Sequence, residues 1–155
     1  MDPTIEHFVE KMGRHFEADG GARIGGRLFG YLLLQDEPRS LDELAEDLKV
    51  SKASISTNAR LLEQWGIVER VSRPGDRRDF YIAAADQTRM LELRLARLKE
   101  MNDLIREGCE TVPHDRPLAR KRLNRIRTLS EEALDCFTEL LDRWNHEREG
   151  NGWEK

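Results

Sequence analysis

Residues 40–66, SLDELAEDLKVSKASISTNARLLEQWG, decide the fold of this chain. Ser40 and Glu43 have the spacing of a capping box, in which the serine caps a helix and the glutamate reaches back to its first residue. Ser51 can cap a second helix that runs through Gln64 and that Gly66 ends. Two short helices joined by a brief turn and closed by a glycine predict a helix-turn-helix.

A β-hairpin is predicted directly after these helices. Residues 67–72 and 80–83 contain β-branched and aromatic side chains, and the segment RPGDRR at 73–78 lies between them. Pro-Gly-Asp favours a turn because glycine tolerates a positive φ. A hairpin at this position is the wing of a winged helix-turn-helix. The predicted fold class is therefore mainly α with a small β-hairpin wing.

Amphipathic helices flank this region on both sides. Apolar residues recur every three to four positions in residues 3–18, 87–109 and 117–147, and a further helix is predicted from about Arg23 to Gln35. Gly108 and Pro113 are expected to end the helix predicted at residues 87–109. The apolar positions of the terminal helices are too many for a chain this short to bury alone, so we expect a homodimer. The expected regions are an N-terminal dimerisation helix, a winged helix-turn-helix, long helices completing the dimerisation region and a flexible tail, at residues 1–20, 21–86, 87–149 and 150–155.

Charge is distributed unevenly along the chain. Seven cations and three anions lie between Lys49 and Arg78, so this segment has a net charge of +4, whereas the whole chain carries −4. A basic island in an acidic protein focuses contact with a polyanion onto one surface. The same acidity disfavours a non-specific architectural role on nucleic acid.

The helix at residues 51–64 has an outer face of small polar side chains and one arginine. A helix that reads base edges must approach the major groove closely, which small side chains near its N-terminus permit. An arginine at the hairpin tip can enter the minor groove, and Asp76 can brace Arg78 through a charge-assisted hydrogen bond. The predicted DNA-binding residues are Ser51, Lys52, Ser54, Ser56, Thr57, Arg60, Arg73, Arg77 and Arg78.

Three stretches carry a resemblance to a known family. They are GRLFGYL at 26–32, SKASIS at 51–56 and PGDRRDFY at 74–81. Together with the order of the helices, they resemble the MarR superfamily of winged-helix regulators, and specifically its GbsR-like branch. Asp76 and Arg78 match the Asp-x-Arg motif of that family's wing. The segment AAA at 83–85 departs from the Leu-Thr pair of many members, which favours the GbsR-like branch.

The resemblance implies a regulator of transcription, usually a repressor, that binds double-stranded DNA as a homodimer. Two recognition helices about one DNA turn apart, roughly 34 Å, would read a pseudo-palindromic operator. Such proteins often release DNA when a small molecule binds. We expect a site for an effector of unknown identity between the dimer helices and the winged domain, lined by Phe29, Tyr31 and Trp65. Aromatic residues at helical spacing are also common in protein cores.

Enzymatic chemistry is not indicated by the sequence. The four histidines are scattered, and no nucleophile–base spacing or glycine-rich phosphate loop is present. Cys109 and Cys136 form no CxxC motif, so we expect no metal and no cofactor, with a redox or metal role of Cys109 and His114 as an alternative. No segment is long and apolar enough to span a membrane or to serve as a signal peptide, so a cytoplasmic location is expected.

The competing hypothesis is a winged helix that contacts another protein without reading DNA sequence. The two hypotheses differ in what they predict for Arg60→Ala and Arg78→Ala. A DNA reader loses roughly 1–3 kcal/mol of affinity when a base-contacting arginine is removed. A protein-interaction module need not bind DNA at all.

Overall fold

The computed structural model describes the backbone of residues 2–86 and 88–151, and the side chains as far as His146. The chain divides at residues 87 and 88 into two compact units. The first unit contains α1 (Pro3–Ala18), α2 (Arg23–Leu32), β1 (Arg39–Ser40), α3 (Leu41–Leu48), α4 (Lys52–Gln64), β2 (Val68–Val71) and β3 (Phe80–Ala83). The second contains α5 (Thr88–Thr111) and α6 (Pro117–Asn151). This architecture confirms the predicted fold class.

Helices α1 and α2 pack closely because glycines line their contact. A Cβ atom at Gly26 would lie 2.4 Å from the carbonyl oxygen of Met12, and one at Gly30 would lie 2.8 Å from the Met12 side chain. Val9 is 0% exposed, whereas Phe8 remains 37% exposed. Helix α1 therefore buries part of its apolar face against its own chain, and its role in a dimer stays a prediction.

The helix-turn-helix forms as its capping residues predict. The Ser40 hydroxyl accepts a hydrogen bond from the Glu43 backbone N–H, and the Glu43 carboxylate accepts one from the Ser40 N–H, at 3.4 and 2.8 Å. Ser51 caps α4 by accepting from the Ser54 N–H at 3.2 Å. Between the helices, Lys49 adopts a left-handed conformation with φ of 55°, so a non-glycine residue makes the turn. The helices bury Leu44, Leu48, Ile55 and Leu62, each 0% exposed.

The wing is a three-stranded antiparallel sheet with the order β1-β3-β2. Strands β2 and β3 form the predicted hairpin, with Val71 paired to Phe80 and with Gly75 at φ of 81° in the turn. Strand β1 pairs with the other edge of β3. Strand β1 was not predicted from the sequence, because a strand of two residues is too short to show a period of alternation.

The second unit consists of α5 and α6 packed on each other, with Leu95 and Leu141 buried. The expectation that Gly108 helps to end α5 is wrong, because the helix continues to Thr111, shortly before Pro113. Helix α6 includes the first two residues of the expected flexible tail, and residues 152–155 lie outside the described residues. No helix in the described part of the chain is long and apolar enough to cross a membrane.

Candidate nucleic-acid interface

The outer face of α4 is the exposed side of the helix-turn-helix. Ile55, Ala59 and Leu62 are 0% exposed and hold the opposite side of the helix in the core. This inner face fixes the rotation of α4 about its axis, so the predicted reading residues point away from the core. Ser51, Lys52, Thr57 and Arg60 are exposed, and Ser54 and Ser56 are half-buried.

Lys52, the first residue of α4, is held by an ion pair that sequence analysis did not predict. Its Nζ lies 2.8 Å from Asp42 Oδ1, and both side chains are 57% exposed. Exposed ion pairs contribute little free energy, about 0–1 kcal/mol. A DNA phosphate can therefore compete with Asp42 for Lys52, and Lys52 is available for a backbone contact.

Arg60 lies at the middle of the outer face and makes no hydrogen bond or ion pair with any part of the chain that the structure describes. The N-terminus of α4 lies at the other end of this outer face. Backbone N–H groups of the first turn point outward there, and the helix dipole favours a negatively charged ligand. The face thus combines small hydroxyls, exposed N–H groups and one guanidinium. This set of donors suits base edges and phosphates.

Asp76 and Arg78, the two residues of the wing motif, bind each other at several atoms. Arg78 Nη2 lies 2.6 Å from Asp76 Oδ2, Nε lies 3.0 Å from both carboxylate oxygens, and the Arg78 backbone N–H donates to Oδ1 at 2.9 Å. These hydrogen bonds, first from the side chain and then from the backbone of Arg78, lower the pKa of Asp76 to about 2. The guanidinium of Arg78 is therefore fixed in the wing, 5.2 Å from the centre of the Phe80 ring.

Arg73 has an internal role that its position in the sequence does not reveal. Its Nη2 donates to the carbonyl oxygen of Pro38 at 3.0 Å and lies 3.6 Å from a carboxylate oxygen of Glu37. Its guanidinium also stacks over Phe80, 4.3 Å from the ring centre. Arg73 thus fastens the end of β2 to the segment before β1. By contrast, Arg77 is exposed and has no such partner among the described residues.

Arg70 is a further cation of this region that sequence analysis did not place in the site. Its guanidinium lies between two carboxylates, 3.6 Å from Glu63 and 3.6 Å from Asp79. Its charge is neutralised locally by these partners. Arg70 therefore belongs to the support of β2, and it offers a matched contrast to Arg60.

Two of the three aromatic residues predicted to line an effector site, Phe29 and Trp65, contact the same third ring. The rings of Phe29 and Trp65 both contact Phe16, with centroid distances of 6.0 and 6.3 Å. Tyr31 instead donates a hydrogen bond to Asp47, which also accepts from Arg39 at 2.8 Å. Burial, followed by the bond to Asp47, raises the pKa of Tyr31. All three contacts support the core of the first unit, and the effector site stays a prediction.

Metal-ligating residues do not cluster in the described part of the chain, where no group of three or more His, Cys, Asp or Glu could hold an ion. Both cysteines are free thiols, with Cys109 half-buried and Cys136 exposed. The His114 ring Nδ1 lies 3.1 Å from Arg120 Nη1. Nothing in these contacts pairs Cys109 with His114.

A capped helix-turn-helix followed by an arginine-bearing hairpin defines the class of winged helix-turn-helix proteins. The sequence pattern of the MarR family matches residues 27–79. The HTH-type transcriptional regulator MmpR5 of Mycobacterium tuberculosis (strain ATCC 25618 / H37Rv) is 35% identical over 151 residues, covering 93% of this chain and 88% of the relative. A crystal structure described as that of a transcriptional regulator is 35% identical, with a TM-score of 0.79 over 93% of this chain and 99% of that one.

A third relative is similar over a shorter region. The HTH-type transcriptional repressor GbsR of Bacillus subtilis (strain 168) is 32% identical over 85 residues, which are 55% of this chain and 44% of the relative. The chain belongs to the MarR family of transcription regulators.

Proposed function

We propose that this chain is a sequence-specific transcription repressor that binds a pseudo-palindromic operator in double-stranded DNA as a homodimer. The observation that carries the proposal is the pair of exposed arginines, Arg60 on α4 and Arg77 on the wing, which have no described partner in the chain. Exposed cations beside a buried, rigid support are what a DNA surface requires. Assignment to the GbsR-like branch is supported only by similarity over about half of the chain.

The contacts divide the predicted DNA-binding residues into two groups. The outer face of α4 would enter the major groove, and Arg77 would reach the adjacent minor groove, where the potential is most negative. Arg73 would act within the protein, alongside the predicted bracing residue Asp76, since the contacts of both side chains hold the wing rather than extend from it. Arg78 has both roles in this proposal, because it is braced by Asp76 and remains 54% exposed.

The dimer surface is proposed on the second unit. Helices α5 and α6 expose large apolar side chains that the chain does not cover by itself, among them Leu104 (62%), Leu118 (69%), Leu129 (68%) and Trp144 (55%). Burial of apolar surface contributes about 25 cal/mol per Å², so these side chains favour association with a second copy. An effector of unknown identity would act by changing the spacing of the two winged domains.

Leu129→Glu is expected to weaken the dimer, because it replaces an apolar side chain that is 68% exposed on α6 with a charged one. The measurement is the mass in solution by light scattering, which should fall from twice 18.0 kDa towards 18.0 kDa. Thr128→Glu is the control, since it adds the same charge to a neighbouring exposed position without removing apolar surface. A wild-type protein that is monomeric at micromolar concentration would contradict the proposed dimer.

DNA binding is tested by fluorescence anisotropy on duplex from upstream of the chain's own gene, against a scrambled duplex, at two salt concentrations. We expect a preference of about a thousandfold or more for the upstream DNA, at the low end of specific recognition. Weak binding to both duplexes that disappears with added salt would indicate phosphate contact alone. That outcome would favour the alternative function, a winged helix that contacts another protein.

A further inference from the structure

The side chain of Arg27 connects three helices of the first unit. It projects from α2, and its Nη2 donates a hydrogen bond to the carbonyl oxygen of Leu48, the last residue of α3, at 2.9 Å. Its Nε lies 2.7 Å from Glu10 Oε1 of α1, as an ion pair rather than an aligned hydrogen bond. The Arg27 side chain is only 18% exposed, so these contacts are shielded from solvent.

The Leu48 carbonyl lies at the end of α3, just before the turn that leads into the recognition helix α4. The last carbonyls of a helix lack intrahelical partners and carry the negative end of its dipole, so a guanidinium there satisfies one and stabilises the helix end. Lys49 follows in its left-handed conformation, and Ser51 then caps α4. Arg27 therefore holds the chain at the start of the turn that sets the direction of α4.

Helix α1 is shaped to accommodate this side chain. A Cβ atom at Gly13 would lie 2.7 Å from Arg27 Cγ, so glycine is what leaves room for the arginine stem between α1 and α2. A hydrogen bond from Arg23 and the nearby charge of Arg27 lower the pKa of Glu10 against the opposing effect of burial. Glu10 is thus ionised and orients Arg27.

We propose that Arg27 is a positioning residue for DNA recognition, which fixes the turn between α3 and α4, and that Glu10 couples this turn to α1. The inference rests on the proposed DNA-binding function. Arg27 is not itself a DNA contact in this proposal. Its effect on affinity passes through the direction of α4, which in turn depends on the position of α1.

The test compares Arg27→Met with Arg23→Met in the full-length chain. Arg23 binds the other oxygen of Glu10 at 2.7 Å but makes no described hydrogen bond to α3, so its loss removes the same kind of ion pair without touching the turn. Operator affinity is measured over a series of salt concentrations. Amide hydrogen exchange is measured at Lys49 and Val50.

Arg27→Met is expected to weaken operator binding about tenfold, the scale of one hydrogen bond to a charged group, with an unchanged salt dependence. Exchange at Lys49 and Val50 should become faster. Arg23→Met should leave both measurements near the wild-type values. Glu10→Gln, which retains the Arg27 side chain but removes the charge that orients it, should give a smaller loss in the same direction, and it provides a second test if Arg27→Met does not fold.

Three results would overturn the proposal. A salt slope that falls by about one would mean that Arg27 contacts a phosphate directly. Unchanged exchange at Lys49 and Val50, or a lower melting temperature with unchanged affinity of the folded protein, would mean that Arg27 supports stability alone. A wild-type protein without operator preference would instead overturn the proposed function, and exchange at the two amides would still decide whether Arg27 holds this turn.

Discussion

Gly26→Ala is expected to lower the free energy of unfolding of the first unit by about 3 kcal/mol, the upper part of the range for overpacked cores. The added Cβ would lie 2.4 Å from the carbonyl oxygen of Met12 and 2.8 Å from the Phe16 side chain. A backbone oxygen cannot rotate away as a flexible side chain does. Relief of the clash therefore requires α1 to move off α2, which would open the contact that buries Val9.

Denaturant unfolding followed by circular dichroism measures this effect. Gly108→Ala is a suitable control, because the nearest atom to its added Cβ, Leu123 Cδ2, is at an ordinary distance of 3.4 Å. Alanine is favoured over glycine inside a helix by about 1 kcal/mol, so the control should be neutral or stabilising. An increase in stability for both variants would show that α1 and α2 do not pack as closely as the structure has them.

The parts of the fold that sequence analysis predicted are specified by residues close together in the chain. Ser40 and Glu43 satisfy each other's backbone groups within one helical turn, and Ser51 caps α4 by accepting one hydrogen bond from the Ser54 backbone N–H. The turn at Gly75 is likewise local, since it depends on one residue that tolerates a positive φ. Hydrogen bonds between residues so close in the chain can be predicted from the spacing of residue types, and contacts with the rest of the fold did not change them.

The parts that sequence analysis missed depend on contacts between distant residues. Strand β1 exists because β3 offers it a free edge, and Arg73 binds the carbonyl oxygen of Pro38, which is 35 residues away. The close approach of α1 to Gly26 and Gly30 of α2 is also a contact between separate helices, and the sequence does not identify α1 as the partner. The same limit applies to the site: the outer face of α4 was predictable from its pattern, whereas the ion pair of Lys52 with Asp42 was not.

Arg60→Ala is expected to weaken operator binding by roughly 1–3 kcal/mol, about tenfold to a hundredfold, if its guanidinium reads a base in the major groove. Its side chain is exposed on the reading face and has no described partner, so its removal should leave the protein's own contacts unchanged. The measurement is anisotropy on the operator and on operators altered at single base pairs. Loss of discrimination at one position would identify the base that Arg60 reads.

Arg70→Ala is the matched control, because it removes the same charge from a nearby position. Since Glu63 and Asp79 already neutralise Arg70, we expect little change in DNA affinity. Equal losses for both variants would mean that the net charge of the region, rather than the position of Arg60, governs binding. If Arg60→Ala weakens binding to every sequence alike and lowers the salt slope by about one, Arg60 contacts phosphate. An unchanged operator affinity for Arg60→Ala would contradict the place of Arg60 in the proposed DNA-binding surface.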